Sequence, residues 1–179
     1  MKIKRLVVGQ LGTNCYLIIS KGELMVIDPG VEPKKILQEI EKSKTNLKYI
    51  ILTHSHLDHI SAVLEIKQKI KTQVLIHQLE RYSLSFDPDI LLKEEDEIKI
   101  GDVILKVLHA PGHTSGSICL LGKDFIFTGD TLFQDGVGRT DLPGGSSKYL
   151  RESLDKLSKV LRSGMKVYPG HGKVFKYKN

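Results

Sequence analysis

Two β-sheets packed face to face with helices on their outer surfaces, a four-layer α/β arrangement, is the fold this sequence predicts. Three observations carry that reading. The 179 residues, 40% of them hydrophobic, match one domain with a sizeable core. Short β-prone runs alternate along the chain with segments of helical apolar spacing. The two halves of the sequence also share an order, strands first and helix last, which suits two similar sheet-and-helix layers packed together.

The first half opens with β-prone runs at 3–8, 15–19 and 24–27, separated by Gly-containing turns at 9–14 and at Lys21-Gly22. Pro33 then opens a helix whose Ile36, Leu37 and Ile40 share one face, with Lys, Glu and Gln elsewhere. Residues 49–52 form a compact apolar strand. After a polar cluster at 53–59, a second helix carries Ile60, Val63, Leu64, Ile66 and Ile70 at helical spacing, and 74–76 is a further strand. The stretch 87–97 is acidic and contains Pro88, so it reads as a surface loop. β structure resumes at 98–100, 103–108, 117–121 and 125–128, with turns at Gly101-Asp102 and 122–124. A Gly-rich loop covers 136–145. A helix follows from 146 to 161, with Ser146 as its N-cap and Leu150, Leu154, Leu157 and Leu161 on the buried side. The last strand, 166–168, ends in Pro169-Gly170-His171-Gly172. No linker, repeat or low-complexity segment divides the chain, and residues 1–179 read as a single domain.

Composition excludes several classes of function. Lys and Arg exceed Asp and Glu by six, but the two signs are interleaved instead of gathered in a basic block. That pattern supports a nucleic-acid face only weakly, and attraction of small anionic substrates accounts for the charge equally well. Two cysteines, Cys15 and Cys119, are too few for a disulfide framework and lie in apolar runs, as buried thiols in a reducing compartment do. No apolar run reaches the ~18–20 residues that span a bilayer. The basic N-terminus is interrupted at Gly9-Gln10 and again at Gly12-Thr13-Asn14, before an apolar signal region can form. A cytoplasmic protein without membrane or nucleic-acid partners is expected, and self-association is left open.

The chemistry concentrates in Thr53-His54-Ser55-His56-Leu57-Asp58-His59, directly after the strand at 49–52. Three imidazoles and a carboxylate fall within six residues at a strand-to-helix junction. In extended backbone His54 and His56 point to the same side, and Asp58 and His59 sit where the chain turns and can aim at a neighbouring point. Such a cluster suits a pair of divalent metals. Three more candidates recur downstream: His113 in Pro111-Gly112-His113-Thr114, Asp130 in Thr128-Gly129-Asp130, and His171 in Pro169-Gly170-His171-Gly172. Each follows an apolar run and has Gly beside it, so that backbone can pass close to a crowded centre. Singly, the two histidines read as turn residues and Asp130 as a cap. Jointly, five of the seven histidines stand at loop ends in one repeated setting.

With these motifs the sequence resembles the metallo-β-lactamase-fold hydrolase superfamily over the whole chain. Asp28-Pro29-Gly30, the HxHxDH motif at 54–59, Gly112-His113-Thr114, Thr128-Gly129-Asp130 and Gly170-His171-Gly172 occur in family order. The resemblance implies an αββα sandwich of two mixed β-sheets with the site along one edge. It also implies one metal at His54, His56 and His113, a second at Asp58, His59 and His171, and Asp130 bridging them. Asp58 and Asp130 would be the carboxylates engaged in catalysis. Asp28 looks like a residue orienting a ligand imidazole, or else an ordinary turn Asp before Pro29. Mixed N/O ligation allows Zn, Fe or Mn.

Within the superfamily, Gly129-Asp130-Thr131-Leu132-Phe133 and the segment from Gly138-Arg139-Thr140-Asp141 to Pro143-Gly144-Gly145 are most similar to short, single-domain glyoxalase II-like proteins. The expected reaction is hydrolysis of a small anionic thioester, S-2-hydroxyacylglutathione or a related acyl-thioester, by water acidified between the metals. The sequence ends eight residues after His171, and so omits the helical region by which longer hydroxyacylglutathione hydrolases help bind glutathione. Arg139 is expected either to contact a substrate carboxylate or orient its loop, or to close that loop by pairing with Asp141. Gly144 and Gly145 would leave the cleft edge open to an acyl chain. His77 and His109 read as strand-end histidines outside the site. Two rival activities share the ligand pattern: a persulfide dioxygenase with a single iron at His54, His113 and Asp130, and a lactonase or related hydrolase using the same metals.

Overall fold

The computed structural model describes residues 1–178. The first sheet follows the chain: β1 (Lys2–Val8), β2 (Thr13–Ser20), β3 (Glu23–Ile27), β4 (Asn46–Ile51), β5 (Gln73–His77) and β6 (Ile90–Leu92), each beside the next. The pairings β1–β2 and β2–β3 are antiparallel, made by short turns; those from β3 to β6 are parallel. Parallel neighbours need crossovers. α1 (Pro33–Ser43) supplies the first, and α2 (Leu57–Ile60) with α3 (Val63–Lys69) the second. The second sheet contains β7 (Glu97–Ile100), β8 (Val103–His109), β9 (Ile118–Leu121) and β10 (Phe125–Gly129). A hairpin of β11 (Leu132–Phe133) and β12 (Gly136–Val137) follows, then α4 (Ser147–Val160), β13 (Lys166–Pro169) and β14 (Phe175–Lys176). Its order is β14-β13-β10-β9-β8-β7, with β10 and β13 parallel across the α4 crossover.

Alternation along the strands produces the layers. In β2, Tyr16 and Ile18 face the second sheet, where Leu105, Val107, Leu120 and Phe127 meet them. Cys15 and Leu17, on the opposite face, pack with Ile36 and Ile40 of α1 and Val63 and Ile66 of α3. On the far side, Cys119, Ile126 and Val167 pack against Leu157 of α4 and the adjoining Leu161. The arrangement is the four-layer sandwich of two mixed sheets. Both thiols are free and buried, and burial raises both, Cys119 to about 12. Among the described residues no helix is long and apolar enough to cross a membrane.

Four local readings are corrected. The second helix is broken at Ser61-Ala62, because the Ala62 N–H donates to Gly30 O at 2.6 Å, tying the chain to the loop after β3. Leu64 consequently lies on the exposed side of α3. The acidic stretch 87–97 contains β6, since Leu92 buries its side chain when the segment adds to the edge of β5. The Gly-rich loop begins with β12, paired to β11, and β14 is an additional edge strand. Ser146 caps α4 as expected, its hydroxyl accepting from the Tyr149 N–H.

Candidate metal centre

The site forms where the strand ends of both sheets converge. Asp28 leaves β3 with φ +50°, a left-handed conformation open to Asp, and its N–H donates to Ile51 O on β4. Its carboxylate reaches across to the motif loop. Oδ1 accepts from the Thr53 N–H at 2.7 Å, and Oδ2 accepts from Thr53 Oγ1 at 2.7 Å and faces His59 Nδ1 at 3.0 Å. Thr53 Oγ1, whose hydrogen points to Asp28, accepts from His54 Nδ1 at 3.1 Å. One buried carboxylate thus orients two imidazoles.

The second sheet contributes from the ends of β8, β10 and β13. His113 Nδ1 donates to Arg139 O at 2.9 Å, and His171 Nδ1 donates to Leu11 O at 3.1 Å. Backbone crowding is severe at Gly170. A Cβ there would stand 2.1 Å from Asp130 Oδ1 and 2.8 Å from His59 Cε1, so only Gly admits both ligand candidates.

All seven candidates come together. His56 Nδ1 is 2.9 Å from His113 Nε2, and His59 Nε2 is 3.2 Å from His171 Nε2. Asp58 Oδ2, which accepts from Thr13 Oγ1 at 2.8 Å, lies 3.4 Å from His59 Nε2 and 3.2 Å from His171 Nε2. Asp130 reaches both ends: Oδ1 is 3.5 Å from His59 Nε2, and Oδ2 lies 3.4 Å from His171 Nε2 and 3.5 Å from His113 Nε2. Three sets could each hold a metal ion: His54, His56 and His113; His54, His59 and Asp130; Asp58, His59 and His171.

The donors fit divalent cations. In His59, His113 and His171 the Nδ1 proton is held by an outer acceptor, so each Nε2 turns a lone pair inward. Those lone pairs face one another and the oxygens of Asp58 and Asp130, acceptors opposed to acceptors. His54 Nε2 and Asp130 Oδ1 are buried with no hydrogen-bond partner. Ligand atoms ~2.0–2.2 Å from a tetrahedral cation stand about 3.3–3.6 Å apart, close to most of the separations found here. Nitrogen and carboxylate donors without sulfur suit Zn, Fe or Mn.

Electrostatics shows how the cluster behaves when it binds protons instead. Burial, then the charges of His59 and His113, hold His54 well below the ordinary histidine range. Burial also lowers His56. It works against His171 too, but hydrogen bonds to Asp130 and Asp58 outweigh it and push that imidazole up to about 10. His59 rises because Asp28, Asp130 and Asp58 outweigh its burial. Burial opposes ionisation of Asp58 and Asp130, yet His171 and His59 hold both carboxyls below the usual range. Positive charge is favoured at His59 and His171, beside the carboxylates, and disfavoured at His54 and His56.

A cleft of about 700 Å³ opens above the cluster, walled by Leu11, Leu57, Phe133, Arg139 and Leu142. His54 and His59 are sealed beneath it. Arg139 forms a bidentate ion pair with Asp141 at 2.8 and 2.7 Å while its carbonyl holds His113. Gly144 and Gly145 do not line the cleft; Leu142 does. His77 and His109 stack on each other at 4.1 Å, apart from the cluster.

Sequence reasoning missed Glu80, in the 3₁₀ helix Gln78–Ser83. Its carboxylate, 2% exposed, accepts from the Ser55 N–H at 3.0 Å, the Ser55 hydroxyl and the Gly116 N–H at 2.6 Å. It clamps the loop bearing His54 and His56 to the loop bearing His113. No local signal marks it, because Gln78-Leu79-Glu80-Arg81 reads as a solvated surface turn. Thr13, which holds Asp58, was missed too.

Comparison with known proteins agrees with this geometry. A family profile described as the metallo-beta-lactamase superfamily matches residues 8–171. The hydroxyacylglutathione hydrolase GloC of Haemophilus influenzae is 35% identical over 193 residues, covering 96% of this chain and 91% of its own. The crystal structure of BLEG-1 B3 metallo-beta-lactamase superposes with a TM-score of 0.92 at 29% identity, covering 98% of this chain and 94% of that one. TTHA1623 in a di-iron-bound form superposes with a TM-score of 0.83 at 30% identity, covering 97% and 94%. With the sandwich, the converging strand ends and the matched length together, the chain belongs to the metallo-β-lactamase superfamily and is a metal-dependent hydrolase of that superfamily.

Proposed function

We propose that this protein hydrolyses thioesters at a two-metal centre built from His54, His56, Asp58, His59, His113, Asp130 and His171. The observation that carries the reading is Asp130, whose carboxylate stands between His59 and His171 at one end of the cluster and His113 at the other. One carboxylate so placed is shared between two neighbouring positions. Divalent cations bound there supply Lewis-acid activation of water and of a carbonyl oxygen.

The chain's own groups account for the remaining steps. The cleft holds the thioester with its carbonyl over the cluster, and Asp130 fixes the attacking water against it. The water oxygen bonds to the carbonyl carbon, and the carbon–sulfur bond breaks. Asp58, partly open to the cleft, takes the proton released by the water, which then passes to the departing sulfur. A carboxylic acid and a thiol leave. Arg139 receives an anionic thiol carrier, whose carboxylate takes the place of Asp141 on a guanidinium that is more than half exposed. The glutathione thioester hydrolase among the relatives supports thioester chemistry, and the di-iron neighbour supports two metals.

The test supplies S-lactoylglutathione and glutathione persulfide separately to metal-loaded protein, following thiol release and dissolved oxygen. Thiol release that stops on chelation and returns with metal is expected. Oxygen uptake with the persulfide and no thiol release from any thioester would overturn the reading.

A further inference from the structure

Leu57 and Leu11 are 76% and 71% exposed, the two most exposed aliphatic side chains among the described residues, and both border the same cleft. A single exposed leucine needs no explanation. Here Phe133 and Leu142 join them, and none of the four belongs to the three core clusters. The fold makes no use of these side chains. Leu11 occupies a tight turn closed by the Gly12 N–H on Gly9 O, a place where polar residues are ordinarily favoured. Leu57 is the first residue of α2, between His56 and Asp58.

The four are not evenly spread. Leu11 is tied to His171 through its carbonyl, and the Phe133 ring centroid lies 6.3 Å from that of His171, so these two stand at the Asp58–His171 end. Leu57 stands between the two ends, flanked in the chain by His56 and Asp58. Arg139, with Asp141, stands at the His113 end. The cleft wall is therefore apolar at Leu11 and Phe133 and carries the Arg139 cation, beside Leu142, on the other side, with the ligand cluster at its floor. The two substituents of a thioester carbonyl held over that cluster leave it in opposite directions.

Resting on the thioesterase reading above, we infer that Leu11, Leu57 and Phe133 receive an aliphatic acyl chain, while the thiol carrier leaves towards Arg139. The substrate class is a thioester with an apolar acyl group. Leu11 and Leu57 are the specificity-determining residues, because each is mostly exposed, lines the cleft and belongs to none of the core clusters.

The experiment uses metal-loaded protein and S-acyl-N-acetylcysteamine thioesters with acetyl, butanoyl, hexanoyl and octanoyl chains, with S-lactoylglutathione alongside. The affinity of the matching non-hydrolysable S-alkyl thioethers is measured by calorimetry. Both kcat/KM and thioether affinity should rise about two- to fourfold per methylene until the chain leaves the wall. Leu11→Ser and Leu57→Ser should flatten both slopes. Leu64→Ser, a comparable surface change on α3 outside the cleft, should leave them as they are. Thioester hydrolysis with no dependence on chain length, or slopes untouched by the Leu11 and Leu57 changes, would overturn the inference and leave the thioesterase reading standing. Hydrolysis of no thioester at all would overturn both.

Discussion

Oδ2 of Asp28 lies 3.0 Å from Nδ1 of His59, with both side chains closed off from solvent, and the same oxygen accepts the Thr53 hydroxyl. The carboxylate thereby keeps the His59 proton on Nδ1 and turns Nε2 towards Asp58, Asp130 and His171. An outer partner of this kind commonly accounts for about ten- to hundredfold in metal affinity. Asp28→Asn is the informative change, since Asn tolerates the left-handed backbone there. A loss of that order should appear in competition titrations against a metal indicator, with the far-UV circular dichroism of the fold retained.

Glu80 should behave as a positioning residue. Gln has the same length, but its amide NH₂ would confront N–H groups that the carboxylate now accepts, from Ser55 and Gly116. An unsatisfied buried donor costs about 1–3 kcal/mol. Glu80→Gln should lower the denaturation midpoint accordingly and weaken the position served by His54, His56 and His113. KM should move little. A normal metal affinity in a destabilised variant would reduce Glu80 to a scaffold role.

Asp130 and Arg139 should separate in kinetics. Asp130→Ala removes the carboxylate shared by the two ends of the cluster, and the loss should fall on kcat by at least about a hundredfold. Arg139→Ala should instead raise KM for anionic thioesters several-fold, with neutral ones little affected. Steady-state measurements on S-lactoylglutathione and an N-acetylcysteamine thioester distinguish the two patterns.

Stability should fall on mild acidification through His77. Burial, together with the stacked His109, lowers its imidazole to about 4, against opposing contributions from Glu80, Glu94 and Asp96. The unfolded chain takes up this proton near the ordinary value of 6.5, before the folded one does. Unfolding is therefore favoured progressively as pH falls from 6.5 towards 4, and stability rises with pH across that window. His77→Asn, which can still accept the Leu79 N–H as a helix cap, should reduce that slope in denaturant titrations at a series of pH values.

The legible part of the molecule was the part with local chemistry. His54, His56, Asp58 and His59 share six residues of chain, and His113, Asp130 and His171 repeat one setting after apolar runs, so their convergence needed only the two-sheet fold. The layers were legible too, because each half of the chain runs strands first and helix last; which face of the uniformly apolar Cys15-Tyr16-Leu17-Ile18 meets which layer was not. What escaped depends on partners distant in sequence. The break before α3 comes from Gly30 O, β6 exists because β5 offers an edge, and Glu80 is buried only because Ser55 and Gly116 close over it. Arg139 also showed its limits: Asp141 was a readable partner, but the hold of its carbonyl on His113 was not.

The two-metal centre is tested most directly by elemental analysis of protein loaded separately with Zn, Fe or Mn and freed of excess ion. Two metal ions per chain are predicted for the wild type, with about one remaining in His56→Ala and in His171→Ala. Wild-type protein that never exceeds one ion per chain, whichever metal is supplied, would contradict the sharing of Asp130 between two metals and give the site to a single one.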